Sequence, residues 1–311
     1  MIHSLRELDV VAVGSWTNFD HLLEVTNLPA PGDTVQILSH IDEVERVHFG
    51  GCAPNVAVAA ARLGMQSALV SIVGDDFVSR GYSAHLDELG VNRRGVQIIQ
   101  GERCGHSFLF RDDRGNSVCI SHIGVAASQE NYLPDADILS AAAVVVITYR
   151  FDRFTLRAAE LARNHGAQVI ISGALSTAPE LIAAFVTTAD ALVCTDHELE
   201  QALALLGCRE IEELMDIGVS AIIRTRGEAG ARWQTKIRSG SCPAYPANQV
   251  IDPTGAGDGF VAGLAAGLAQ GQDLPEAIQL GSSVASFVVE AVGCQTGLPT
   301  MKEALLRLSN Q

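Results

Sequence analysis

Asp252-Pro-Thr-Gly-Ala-Gly-Asp258-Gly-Phe260 is the stretch on which the interpretation of this sequence depends. It opens an apolar run, residues 260–268, that is typical of a buried helix. A helix N-terminus carries about half a positive charge, and glycines let a ligand approach the backbone closely. The dipole should also keep the Asp258 carboxylate ionised, although the string equally fits a tight loop in which Asp258 only caps the helix. The stretch predicts an anion hole formed by the backbone N–H groups of Gly255, Ala256 and Gly257.

A second glycine-rich junction, Gly50-Gly51-Cys-Ala-Pro-Asn55, precedes an alanine-rich helix near the other end of the chain. The missing side chains leave room beside a strand end, and the Asn55 amide has a donor and an acceptor suited to a substrate hydroxyl. Asn55 also fits a helix cap. Two such junctions in one chain indicate a cleft for two substrates.

Polar residues also follow the first predicted strand, where α/β folds place ligands. Asn18 and Asp20 form a polar pair there, and both are candidates for holding a substrate. The alternative for Asp20 is a solvated turn residue.

Short apolar runs alternate with helical patterns through most of the chain, which predicts an α/β fold with a parallel sheet covered on both faces. The predicted strands are residues 10–13, 68–73, 144–147, 169–171, 191–194 and 221–224. The predicted helices are residues 55–63, 77–89, 154–164, 179–186, 198–206, 256–270, 275–292 and 301–308.

Two segments, about 15–49 and 96–122, interrupt this alternation. The second contains two alternating runs, residues 106–111 and 117–121, separated by Asp-Asp-Arg-Gly-Asn, which is typical of a hairpin. We expect the two segments to pair into a small sheet that covers the site as a lid. Because its edge strands would expose unpaired backbone groups, the lid is also where a homodimer would form.

Composition restricts the classes of function. A chain of 311 residues, 48% hydrophobic and 18% charged, can form one large domain that spans residues 1–311. The net charge of −15 argues against nucleic acid as a partner. The N-terminus lacks the pattern of a signal peptide, and no window is long enough for a membrane span. Seven cysteines without CxxC spacing favour reduced thiols in the cytoplasm.

Both glycine-rich junctions resemble the diagnostic stretches of the ribokinase-like (PfkB) family of carbohydrate and nucleoside kinases, and the similarity extends from about residue 8 to about residue 308. The resemblance implies a three-layer sandwich with a mostly parallel central sheet and a small β-sheet lid. It implies ATP-dependent phosphorylation of a hydroxyl, with a primary hydroxyl expected, on a sugar or sugar derivative. Asp258 would then be the catalytic base, residues 255–257 the anion hole, and the acceptor hydroxyls would be held by Asp20, Gly50, Gly51 and Asn55.

The resemblance also implies where the nucleotide and metal ions bind. Residues near the nucleotide would be Thr225, Gly227, Gly230 and Thr254, with Arg226 either assisting or solvated. Asp252, with backbone carbonyls around Gly293 and Gly297, resembles a monovalent-cation loop, which K⁺ would occupy. Glu198 would organise Mg²⁺ through water, but Thr195 stands where the family usually has Asn, and Asp196 is a candidate to compensate.

The acceptor is where the sequence departs from ribokinase. Arg150 stands where ribokinase has a glutamate, which suggests an acceptor with an anionic group, unless Arg150 only pairs with a lid carboxylate. A nucleoside kinase is the alternative, with a base pocket lined by Trp16, Phe19 and Phe108. A non-catalytic sugar or nucleotide sensor is a third reading, although a sensor has no use for Asp258.

Overall fold

A computed structural model describes residues 6–40, 42 and 46–309 of the chain. The described residues form a nine-stranded sheet in the order β13-β12-β11-β10-β9-β8-β1-β4-β5, in which the strands from β11 to β5 are all parallel. Its strands are β1 Leu8–Val13, β4 Ser67–Gly74, β5 Val96–Ile99, β8 Ala142–Ile147, β9 Gln168–Ser172, β10 Ala191–Thr195, β11 Ala221–Thr225, β12 Ala231–Thr235 and β13 Ser239–Cys242.

Helices cover both faces of this sheet, so the predicted three-layer α/β architecture is confirmed. One face packs against α1 Cys52–Arg62, α3 Tyr82–Glu88, α9 Ala256–Ala269 and α10 Leu274–Val288. The other face packs against α4 Ala136–Ser140, α5 Arg153–Asn164, α6 Ile182–Thr188, α7 Asp196–Leu206 and α8 Ile211–Ile217. The remaining helices are α2 Asp76–Ser79 and α11 Met301–Ser309.

The small sheet has the order β3-β2-β6-β7, built from β2 Asn18–Glu24, β3 His48–Gly50, β6 Gly105–Arg111 and β7 Ser117–His122. Strands β6 and β7 form the predicted hairpin, whereas β2 pairs with β6 in parallel. Residues 96–99, part of the predicted lid segment 96–122, instead form β5 of the large sheet. Within the other predicted segment, 15–49, residues 41 and 43–45 lie outside the described residues.

Two local features differ from the sequence-based expectations. The predicted helix 77–89 is divided into α2 and α3, because Gly81 has a positive φ of 86° between them. Helices α9 and α10 pack with their backbones in contact, since a β-carbon at Gly263 would lie 2.7 Å from the Cα of Gly281. This close packing fixes the N-terminus of α9, where Asp258 lies.

Across residues 6–309, apart from the gaps at 41 and 43–45, no helix combines the length and apolar character that a membrane crossing requires.

Candidate active site

The stretch Asp252–Phe260 lies at the N-terminus of α9, as the sequence predicts. Gly255 is the N-cap in a left-handed conformation, with φ 82°, and a β-carbon there would lie 2.8 Å from the Cβ of Cys294. Glycine is therefore required at this position for its backbone conformation and for space. The turn leaves Ala256, Gly257 and Asp258 in the first turn of the helix, where the Ala256 N–H donates to the carbonyl of Pro253 at 3.2 Å.

The pKa of Asp258 is higher than the helix dipole alone would give. Burial raises the pKa of Asp258 to about 6, against smaller opposing effects of hydrogen bonds from Asn55 and Cys52. Desolvation of the carboxylate therefore outweighs the helix dipole. A carboxylate with a pKa of about 6 is a stronger base and is still mostly ionised at neutral pH.

A hydrogen-bonded chain orients this carboxylate. The Asn55 amide donates to Asp258 Oδ2 at 2.8 Å and accepts from the Gln295 side-chain nitrogen at 2.9 Å. The same nitrogen of Gln295 donates to the Tyr82 hydroxyl at 2.8 Å, and that hydroxyl donates to the carbonyl of Gly50 at 2.9 Å. Asn55, predicted to hold an acceptor hydroxyl, thus orients the Asp258 carboxylate in this structure. Sequence reasoning missed Gln295 and Tyr82.

Asp20 is buried, with a relative exposure of 6%, on β2 of the small sheet. Burial, followed by the charges of Asp258 and Asp252, raises the pKa of Asp20 to about 7, although Ser107 acts in the opposite direction. The three carboxylates therefore lie close enough to interact electrostatically. The alternative of a solvated turn residue is wrong for Asp20.

The Gly50-Gly51 pair makes room for this arrangement. A β-carbon at Gly50 would lie 1.8 Å from Asp20 Oδ2, and one at Gly51 would lie 1.8 Å from the carbonyl oxygen of Trp16. Glycine at both positions therefore lets β2 and the loop before it approach the start of α1. Asn18 is buried and donates to Ser107 Oγ at 2.9 Å, so its amide links the strands of the small sheet.

A cavity of about 490 Å³ adjoins the catalytic turn. Its lining includes the predicted nucleotide-binding residues Thr225, Gly227 and Gly230, together with Ala256 and Gly257 of the anion hole. The remaining wall is largely apolar and includes Ala244, Tyr245, Pro246, Val250, Phe260 and Val289. An apolar cavity of this size beside the N-terminus of a helix suits a flat heterocycle attached to phosphates.

Thr254 does not line this cavity. Its hydroxyl donates to Asp252 Oδ1 at 2.7 Å, and its backbone N–H donates to the same oxygen at 3.1 Å. The predicted contact of Thr254 with the nucleotide therefore does not fit the structure, because the side chain is used to hold the loop.

Glu198 lies at the start of α7 and forms a reciprocal capping box with Thr195. Its Oε2 accepts from the Thr195 backbone at 2.7 Å. Asp196, considered a candidate to compensate for Thr195, instead pairs with Arg226 at 2.9 Å and with Arg224 at 3.4 Å. Those pairs also account for Arg226, which does not line the cavity of about 490 Å³. Across the described residues, no group of three or more His, Cys, Asp or Glu side chains converges to bind a metal ion.

The aromatic residues named for a base pocket are separated in the structure. Phe19 is fully buried and packs on Phe49 and Tyr82, so its predicted role in the pocket is wrong. Phe108 is partly exposed on the lid, stacked on His21 at 4.6 Å. Trp16 pairs instead with Tyr149, ring centroids 4.9 Å apart, from the loops after β1 and β8.

Arg150 lies in the loop after β8, next to Tyr149. Its Nε is 3.9 Å from Asp152 Oδ2, and its side chain is 34% exposed. Asp152 caps α5 and is not part of the lid, so the proposed pairing of Arg150 with a lid carboxylate does not occur here.

Comparison with known proteins decides the family. The sequence profile of the pfkB family carbohydrate kinases matches residues 9–301. The chain belongs to this family. The PfkB kinase is 32% identical to a nucleoside kinase from Methanocaldococcus jannaschii over 94% of each chain. It is 28% identical to a deoxyribokinase from Salmonella typhi, over 95% of this chain and 97% of the other.

A crystal structure of the Methanocaldococcus jannaschii nucleoside kinase, described as an archaeal member of the ribokinase family, superposes with a TM-score of 0.87 at 31% identity. The match covers 97% of this PfkB kinase and 98% of the other chain. The predicted ribokinase-like fold and kinase class are therefore confirmed.

Proposed function

We propose that this PfkB kinase transfers the γ-phosphoryl group of ATP to the primary hydroxyl of a nucleoside. The observation that carries the choice of acceptor is the Trp16–Tyr149 aromatic pair, both residues of which are partly exposed. The Trp16 carbonyl lies beside Gly51 and Asp20 lies beside Gly50, so Trp16 is close to Asp20. Aromatic rings in such a position suit a nucleobase, while Asp20 suits ribose hydroxyls. The similarity to a protein named nucleoside kinase supports the same choice.

The residues divide the chemistry into two parts. Asp258 accepts the proton of the acceptor hydroxyl. At the same time the hydroxyl oxygen bonds to the γ-phosphorus of ATP, and the bond between that phosphorus and the ADP oxygen breaks. The backbone N–H groups of residues 255–257 stabilise the negative charge on the transferring group. Asn55 holds the carboxylate at 2.8 Å, so the base is already positioned before the acceptor arrives.

The nucleotide occupies the cavity of about 490 Å³ between β11 and α9, with its phosphates at the N-terminus of α9. Mg²⁺ enters with ATP and neutralises charge on the phosphates when bound. Glu198 fits the expected indirect role, because the capping box uses Oε2 and its other carboxylate oxygen, Oε1, makes no hydrogen bond with the residues that the structure describes. That oxygen is available to a water molecule of the ion.

A sugar with an anionic group is the second candidate acceptor, and Arg150 favours it. The Arg150 guanidinium is partly exposed, and its Nε is 3.9 Å from Asp152 Oδ2. At that distance its N–H groups are available to bind a carboxylate or phosphate. A nucleoside carries no such group, so the two candidates predict different substrate preferences.

A substrate panel separates the two candidates. ADP release would be measured with nucleosides, ribose, deoxyribose, ribose 5-phosphate and a sugar acid, each with MgATP. A nucleoside kinase has its highest kcat/KM with a nucleoside, and Trp16→Ala raises KM for it while Trp16→Phe restores binding. A preference for the anionic sugars that is lost in Arg150→Met would overturn the nucleoside assignment.

The same proposal includes a cytoplasmic homodimer. The edge strand β7 of the small sheet is largely exposed, with Ile120 at 61% and Val118 at 39%. Pairing of two lids would cover these residues and the unpaired strand edge. Light scattering measures the mass directly, and a monomer at micromolar concentration would contradict the dimer.

A further inference from the structure

The loop before the anion hole is bonded to the lid by an arginine. Arg111, the last residue of β6, donates from Nη2 to Asp252 Oδ1 at 2.5 Å and from Nη1 to the carbonyl of Ile251 at 2.8 Å. The carboxylate of Asp252 has a relative exposure of 1%, whereas the arginine side chain is 30% exposed. A charged pair this deeply buried on one side is screened less by salt than a surface ion pair.

The backbone of Arg111 is fixed, so the contact does not depend on a mobile side chain alone. Arg111 pairs with Glu24 of β2 on one side and with Ser117 of β7 on the other. Its carbonyl also accepts from the Val25 N–H at 2.8 Å. The small sheet therefore presents the guanidinium to the loop from a defined position.

Most of the acceptor sites of the Asp252 carboxylate are occupied. Oδ1 accepts from Arg111 and from both the backbone and the hydroxyl of Thr254, and Oδ2 accepts from the Gly293 N–H at 3.2 Å. A carboxylate oxygen has about two lone-pair sites, so Oδ1 has none left for a cation, whereas Oδ2 keeps one. The carbonyl of Ile251 also accepts from Arg111. An ion at the expected monovalent-cation site would therefore have only Oδ2 of this carboxylate as a ligand and would lie close to the guanidinium charge, which disfavours it.

Charge explains why a cation or its equivalent is needed here. The charges of Asp252 and Asp258 both act on Asp20 in a protein of net charge −15, and ATP adds further negative charge. The Asp252 carboxylate is buried, and its partners Arg111, Thr254 and Gly293 are all hydrogen-bond donors, which favour the charged form. The negative charge of Asp252 beside the anion hole therefore has to be neutralised.

We propose that Arg111 takes the place of a monovalent cation, so that the lid supplies the positive charge beside the anion hole and the kinase turns over without bound K⁺. Arg111 is a positioning residue in this scheme. It neutralises Asp252 and holds residues 251–254, and through them the turn at Gly255. Because it belongs to the lid, this charge is in place only when the lid is in the described position.

The test uses kcat at constant ionic strength, with KCl exchanged for tetramethylammonium chloride, a cation too large for a protein oxygen cage. The inference rests on the proposed function for its turnover assay, so the best acceptor of the panel is used. The variants are Arg111→Met, which removes the charge, and Arg111→Lys, which keeps it. Arg114→Met is the matched control, because Arg114 is exposed at the tip of the same hairpin.

For the wild type and for Arg114→Met, the kcat in the two salts should differ by less than about twofold. Arg111→Met should lose about tenfold or more in tetramethylammonium, which corresponds to one charged hydrogen bond. KCl or guanidinium chloride should restore most of that loss, and Arg111→Lys should retain most activity. Stimulation of the wild type by K⁺ of about tenfold, or unchanged kcat of Arg111→Met in both salts, would overturn the proposal.

A second readout is independent of any acceptor. KCl should raise the melting temperature of Arg111→Met relative to tetramethylammonium chloride, and it should leave that of the wild type unchanged. An equal increase in both proteins would show that K⁺ binds with the arginine in place. If no acceptor were phosphorylated by any variant, the proposed function would fail, while this measurement would still decide the role of Arg111.

Discussion

Replacing Asp20 with Asn should stabilise the protein at neutral and alkaline pH. The pKa of Asp20 is raised from 3.8 to about 7, chiefly by burial and then by Asp258 and Asp252. Between those two pH values the native protein holds a proton that the unfolded chain releases, so unfolding becomes easier as pH rises through this window. Each pKa unit corresponds to about 1.4 kcal/mol, which gives an upper limit of about 4 kcal/mol above pH 7. Asn has nearly the same shape and removes this cost.

Urea denaturation of the wild type and Asp20→Asn at about pH 4.5 and about pH 8 measures the effect. The two free energies of unfolding should be similar at the lower pH and differ by several kcal/mol at the higher one. Asp87→Asn is the control, because hydrogen bonds from Arg93 lower the pKa of Asp87 on the surface and its contribution has the opposite pH trend. If the free energy of unfolding of Asp20→Asn differed from that of the wild type by the same amount at both pH values, a buried charge would not be the cause. The stabilised variant should also lose acceptor affinity, as expected for a site in which function opposes stability.

Three further predictions concern the catalytic turn. Asp258→Asn should bind ATP and acceptor with little change but lose about 10² to 10⁴ in kcat, measured by calorimetry and steady-state kinetics; turnover at the wild-type rate would contradict the role of the base. The kcat/KM of the wild type should fall below about pH 6 as Asp258 protonates. In Asn55→Leu this decrease in kcat/KM should begin at a pH higher by about one unit, because the substitution removes the hydrogen bond that lowers the pKa of Asp258. An unchanged pH profile would show that Asn55 does not tune the base. Gly255→Ala should lower the free energy of unfolding by at least about 1 to 2 kcal/mol, since φ is 82° and the new methyl would meet Cys294, and a denaturation curve like that of the wild type would refute this.

The sequence predicts the fold well because its signals are local. Alternation of apolar runs and helical patterns predicts the parallel sheet, and the glycines of residues 255–257 predict the turn at the start of α9. Gly50 and Gly51 are also recognisable, although only the structure shows that their missing side chains make room for Asp20 and for the carbonyl of Trp16.

The features of the site that the sequence does not predict share a physical cause, because they depend on contacts between segments that are distant in sequence. Asn55, Gln295 and Asp258 meet across more than 200 residues of sequence, and nothing in their local patterns indicates it. The pKa of Asp258 was expected to follow the helix dipole, which is visible in sequence, whereas desolvation depends on what covers the carboxylate. Arg111 ends an alternating strand pattern that is typical of a solvated strand edge, and nothing in that pattern indicates that its guanidinium pairs with Asp252.

The hydrogen-bonded chain from Asp258 through Asn55, Gln295 and Tyr82 to the Gly50 carbonyl has a consequence for redesign. A library that varies the acceptor-side junction at residues 50–55 would disturb the orientation of the base in most of its members, so new specificity there would come with slow turnover. Trp16 and Tyr149 contribute no side-chain hydrogen bond to that chain. Substitutions of Trp16 and Tyr149 should therefore be tried first in order to change the range of acceptors while keeping the rate of turnover.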